Sequence, residues 1–155
     1  MNRYAVLAAL MAVAALGMAR KPPQGGNMSD DAALKVESPA PSSWHGGQCG
    51  MSKPAVRTIS SDADWSALWR EAFRREAPKV DFSKVFAVAV FLGARPTGGF
   101  SVEFPSPLRD EGALVIPYRV SAPKKSGFVI QAFTSPYGIQ LYKRTDDPVT
   151  VREIR

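Results

Sequence analysis

The stretch from Val85 to Leu92, VFAVAVFL, constrains this chain more than any other part of it. A strand with one wet face alternates apolar and polar residues. Here both alternating sets are apolar, which requires a central strand covered on two sides. The domain must therefore supply packing layers to both faces of that strand. It must do so without internal cross-links, because Cys49 is the only cysteine. Small domains with limited cores often lean on several disulfides. This one has to hold by packing alone; Cys49 either pairs between chains or is buried, and burial is the favoured expectation.

One of the covering layers is legible upstream. Ser61 is placed to cap a helix, with Asp62 and Asp64 in the first turn, where the helix dipole favours negative charge. Trp65, Leu68, Trp69, Ala72 and Phe73 then form an apolar stripe at helical spacing, and Pro78 marks the end of the helical pattern. Arg70, Glu71, Arg74, Arg75 and Glu76 take the exposed face. An aromatic stripe of this kind is core material rather than a ligand box.

The rest of the domain reads as strands. Val56 to Ile59 is a short first strand after the glycine-rich, turn-forming run WHGGQCGMSK at 44–53. Phe100, Val102 and Phe104 alternate with Ser101 and Glu103, a half-exposed partner strand. Leu114 to Val120 follows, with Pro117 pushing it towards a sheet edge or a bulge. Phe128 to Phe133, Ile139 to Tyr142 and Val149 to Ile154 complete the set. The expectation is an α+β domain over 44–155, with one amphipathic helix packed on a largely antiparallel sheet of about six strands.

Ahead of that domain, residues 1–19 have the build of an export signal. Arg3 gives a positive start, Ala5 to Ala19 is unbroken apolar sequence, and Gly17 and Ala19 suit cleavage after Ala19. A transmembrane anchor is the competing reading. The apolar run would reach only about 22 Å as a helix, against a hydrocarbon core of roughly 30 Å. No cysteine stands at the cleavage point, which disfavours acylation. Residues 20–43, rich in Pro, Gly, Ser and acidic residues, read as a flexible linker. The expected location is periplasmic or extracellular, without strong membrane association once the signal is cleaved.

Charge and motif content narrow the function. The chain has 20 basic and 14 acidic residues, and Arg3 leaves with the signal. That modest surplus is scattered, with no basic run or interleaved aromatic face of the kind nucleic acid requires. A Ser-His-Asp triad or a multi-histidine metal site would have to use the single histidine, His45. A His45–Cys49 thiol–imidazole dyad would sit in a glycine-flanked run with no third group to orient the imidazole. Asp110-Glu111 and Asp146-Asp147 read as solvated turn residues. No phosphate-cradling loop or dinucleotide fingerprint is present. The chain is expected to be no enzyme and to use no cofactor or metal.

What stands out is the segment Gly93-Ala94-Arg95-Pro96-Thr97-Gly98-Gly99-Phe100. It joins two strongly apolar strands, so a hairpin is expected, and its length exceeds a tight turn. Pro96 fixes one φ while Gly98 and Gly99 permit unusual ones, so the loop should be shaped in advance, as suits recognition. Thr134-Ser135-Pro136-Tyr137-Gly138 has the same style. If the two loops share one end of the sheet, Arg95, Thr97, Pro136 and Tyr137 form a patch of guanidinium, hydroxyl and aromatic groups, with arginine and tyrosine as favoured protein-contact anchors.

The string FAVAVFLGARPTGGFSVEF at 86–104, followed by a strand and then FTSPYGIQLYK at 133–143, resembles the PrcB C-terminal domain family. The helix SSDADWSALW and the glycine-rich run before it extend the likeness to about 44–143. Its most specific parts are Arg95-Pro96-Thr97-Gly98-Gly99-Phe100 and Thr134-Ser135-Pro136-Tyr137. The resemblance implies an exported, non-catalytic subunit that binds and stabilises a protease. A shorter likeness, Pro96-Thr97-Gly98-Gly99-Phe100, is similar to the inhibitory loop of chagasin-like cysteine-protease inhibitors. It implies the alternative, an inhibitor acting through residues 95–100.

Overall fold

The computed structural model describes residues 42–124 and 131–155. The expected signal and nearly all of the expected linker, together with Phe128 to Ile130 of the expected strand, lie outside the described residues. Among the described residues, eight strands and one helix follow in chain order. They are β1 (Ser43–Gly46), β2 (Ala55–Ile59), α1 (Asp62–Phe73), β3 (Val85–Phe91), β4 (Ser101–Glu103), β5 (Leu108–Asp110), β6 (Ala113–Ser121), β7 (Tyr137–Lys143) and β8 (Val149–Ile154).

The strands form two sheets rather than one. The first has the order β1-β7-β3-β2 and is antiparallel throughout. The second is built around β6. β8 pairs with β6 in parallel across Leu114 to Arg119, while β5 and β4 pair antiparallel with its two ends. Because both pairings overlap β8's, β4 and β5 must share the opposite edge of β6. Pro105 and Pro107, which lack the N–H a ladder needs, separate them. Pro117 therefore does not put β6 at a sheet edge. It lies where the β4–β5 edge is interrupted, the section of β6 that can best do without a donor.

Central placement of β3 is borne out, and the two cores show why. Val85, Ala87, Ala89 and Phe91 face α1, whereas Phe86, Val88, Val90 and Leu92 face the second sheet. The layers run helix, sheet, sheet. Ser61 caps α1 as its pattern requires, its Oγ accepting from the Asp64 amide at 3.2 Å. Trp65, Leu68, Trp69 and Ala72 are buried, each large one worth roughly 2 kcal/mol in removed apolar surface. Trp44 of β1 joins Trp65 and Trp69 at centroid separations of 5.4 and 5.7 Å. The helix ends at Phe73, earlier than Pro78. Arg74 adopts a left-handed cap with φ 53°, and the Gly50 amide donates to the Ala72 carbonyl at 2.6 Å.

Two further corrections concern elements. The run 44–53 is not all turn, since its first residues belong to β1. Residues 131–133, the described end of the expected strand, are not in a strand. Asp110-Glu111 does lie at a turn: Glu111 and Gly112, with φ 49° and 82°, form the two-residue connection from β5 to β6.

Candidate functional site

The 93–100 segment is not a hairpin. β3 pairs with β2 and β7, and β4 pairs with β6, so this loop carries the chain from one sheet to the other. Gly93 makes the departure possible. Its φ is +72°, and a Cβ there would lie 2.8 Å from the Pro54 nitrogen. The Ala94 amide then donates to the Ser52 carbonyl at 3.0 Å.

The structure does bring the two loops together. Arg95 and Thr134 form an isolated antiparallel bridge. The Arg95 amide donates to the Thr134 carbonyl at 2.7 Å, and the Thr134 amide returns the bond at 2.9 Å. Thr134 Oγ1 donates to the Thr97 carbonyl at 2.8 Å. On its other side the second loop is held by the 47–49 segment. Ser135 donates its amide to the Gly47 carbonyl at 2.9 Å, Gln48 Nε2 donates to the Phe133 carbonyl at 3.0 Å, and Cys49 Sγ donates to the Ser135 carbonyl at 3.1 Å. Three segments far apart in sequence thus interlock through backbone groups.

The expected surface patch is only partly realised. Pro136 is fully buried and Tyr137 is buried. The Tyr137 ring packs on Phe73 and Phe91 in the helix-side core, 4.7 and 6.4 Å between centroids. Because Tyr137 pairs with Phe91 across β3–β7, both rings take the same face of the sheet. Pro96 and Gly99 are exposed, while Arg95, Thr97, Gly98, Phe100, Thr134 and Ser135 are half-buried. The Arg95 guanidinium sits 5.4 Å from the centroid of Phe100. Its Nε is buried without an acceptor among the described residues.

The residue that the sequence pattern does not single out is Phe133. It is 80% exposed, yet its carbonyl and both following amides are fixed by the bonds above. Placed within an apolar run, it reads as part of a strand. Its display depends on pairings that only the tertiary structure supplies.

His45 and Cys49 do not form a dyad. His45 lines a cleft with Val102 and Phe104 on the second-sheet side, whereas Cys49 borders a groove beside Phe73, Arg74 and Arg75 on the helix side. Cys49 is half-buried, and burial pushes its thiol pKa up, opposed in part by a hydrogen bond with the Met51 backbone. The thiol is thereby kept neutral, which is the wrong direction for a nucleophile. Among the described residues no group of three or more His, Cys, Asp or Glu side chains is placed to hold a metal ion. No helix among them is long and apolar enough to cross a membrane.

Fold and loops together define an α+β domain of three layers whose inter-sheet crossing is locked to the loop before β7. Residues 86–139 match the family described as PrcB C-terminal. The matched stretch runs from inside β3 to inside β7. Both interlocked loops fall within it. No curated protein and no solved structure matches the chain.

Proposed function

We propose that the chain is an exported, non-catalytic accessory module that binds and stabilises a protease, with the face where the 93–100 and 131–136 loops meet as its contact. The observation that carries this reading is Phe133. A scattered exposed apolar residue is ordinary, but this phenyl ring stands on a backbone pinned from both sides. Such an anchor loses little conformational freedom on binding, and phenylalanine is enriched at protein interfaces. The family match supports a protease-associated role by its name, and the character of residues 1–19 supports export.

Affinity capture from bacterial envelope and culture fluid, with the purified protein as bait, tests the reading. A protease should be retained by the native chain and lost with Phe133→Ser. Recovery of no protease, or indifference to Phe133→Ser, would sink it. The inhibitor alternative needs Phe100 to enter a protease cleft. Phe100 instead packs against the inter-sheet core beneath Arg95, so the accessory reading has the better support. Stoichiometric titration against papain-like enzymes separates the two, since an accessory module leaves their rates unchanged.

A further inference from the structure

On the side of the molecule where β2 forms the edge of the first sheet, the two sheets leave a groove of about 290 Å³. β2 pairs with β3 on one side only, and no strand among the described residues covers its other side. An open strand edge presents unpaired N–H and C=O groups to any extended chain that reaches it. Val56 lies opposite Val90, on the face turned towards the second sheet, and is 45% exposed. With Val90 and Val120 it gives the groove an apolar floor.

The ends of the groove differ in charge. Arg95 closes the end next to Pro54. No ion pair engages it among the described residues, and its buried Nε has no acceptor there. Its position is nevertheless set, by the backbone bridge to Thr134 and by Phe100 beneath the guanidinium. Glu153 lies on the second-sheet wall, opposite Tyr118 in the β6–β8 register, and accepts a hydrogen bond from the Tyr118 hydroxyl at 3.3 Å.

We infer that β2 and this groove receive the extended, apolar C-terminal segment of another protein chain, whose terminal carboxylate is bound by Arg95. Strand polarity supplies the direction. A segment adding antiparallel to β2 runs from the Ile59 end towards the Ala55 end, and so finishes at Pro54 and Arg95. The unpaired guanidinium is the complement of a carboxylate and can take it through two parallel hydrogen bonds. Backbone pairing along β2 supplies affinity, while side chains entering the groove supply selectivity. Glu153 disfavours an acidic side chain within the groove, restricting negative charge to the chain end. The inference rests on the reading of the chain as a protein-interaction module and adds a second contact, distinct from Phe133.

A library of octapeptides randomised at their last positions and bearing free carboxylates, screened on the purified protein, tests this. Enriched sequences should end in apolar residues. Resynthesis as C-terminal amides should weaken binding about tenfold in fluorescence anisotropy. Arg95→Gln should bring the free acid down to the level of the amide, and Val56→Lys should abolish binding of both. Val56 is exposed, so its variant should keep the native thermal transition, which guards against a folding artefact. Bound peptide should also slow amide exchange at Val56 to Thr58. No enrichment, or equal binding of acid and amide, overturns the inference. A protease captured by the native chain and released by Phe133→Ser, with no selective free-acid peptide binding, overturns the groove and leaves the accessory reading standing. Selective free-acid binding with no protease captured supports the groove and removes the accessory reading.

Discussion

Arg95 and Thr134 exchange two backbone hydrogen bonds, 2.7 and 2.9 Å long, across a bridge that belongs to no strand. The Thr134 hydroxyl extends the connection to the Thr97 carbonyl. Thr134→Val keeps the branched shape and removes that donor, so it should cost about 1 kcal/mol in urea unfolding. Thr134→Ser keeps the donor and should lose much less. Equal losses for the two variants would mean that the hydroxyl contributes nothing to coupling the loops.

Gly93 and Gly112 both have left-handed backbone, with φ of 72° and 82°, but their surroundings differ. Nothing stands within 4 Å of a Cβ at Gly112, whereas one at Gly93 meets Pro54 at 2.8 Å. Gly112→Ala should therefore cost about 1 kcal/mol, the backbone penalty alone. Gly93→Ala should cost about 3 kcal/mol, because steric strain adds to that penalty. Denaturant melts of both variants check the ordering.

Tyr142 is buried between the sheets, stacked on Phe86 at 5.6 Å, and its hydroxyl has no partner among the described residues. Removing an unsatisfied hydroxyl should help, so Tyr142→Phe is expected to raise stability by about 1 kcal/mol. Burial also raises the phenol pKa well above its ordinary value. A raised folded-state pKa means full stability below the unfolded value of about 10 and progressive loss above it. Native protein should weaken from that pH upward, and Tyr142→Phe should weaken less steeply. Parallel alkaline limbs in the two proteins would refute the assignment.

Arg57 on β2 pairs with Glu71 on α1 at 2.7 Å, and both side chains are partly exposed. The hydrogen bond from Arg57 holds the Glu71 carboxyl below its usual range. Its contribution is present above the unfolded value of about 4.3 and is lost as pH falls through the lower folded value. Arg57→Ala should cost about 0.5 kcal/mol at neutral pH, shrinking with added salt. A cost unchanged in acid or in high salt would contradict the pairing.

Much of the architecture can be read from local pattern. The two-faced apolar run requires β3 to be central, and the Ser61 cap with its aromatic stripe places α1. Patterns of this kind report which face of an element is buried, but not which strand lies beside it. The second sheet therefore leaves no local signature, and the 93–100 segment reads as a hairpin although it is a crossing. β5, only three residues long, and β1, four residues long and running into Gly46-Gly47, are too short to show a period. The candidate site was half legible. Proline and glycine marked both loops as shaped, and the structure joins them. Tyr137 reads as a loop aromatic from sequence, but its register with Phe91 turns it into the core. Phe133 reads as strand from sequence, but the bonds flanking it turn it outwards.

The interlock of residues 47–49, 93–97 and 133–135 draws on the beginning, middle and later part of the domain. None of the three can take its place until β1, β3 and β7 have come together over long sequence separations, which makes assembly of this surface a late event. An incomplete or misfolded chain would lack it. A partner of the kind proposed would in effect test whether the domain has finished folding, and would pass over chains that have not.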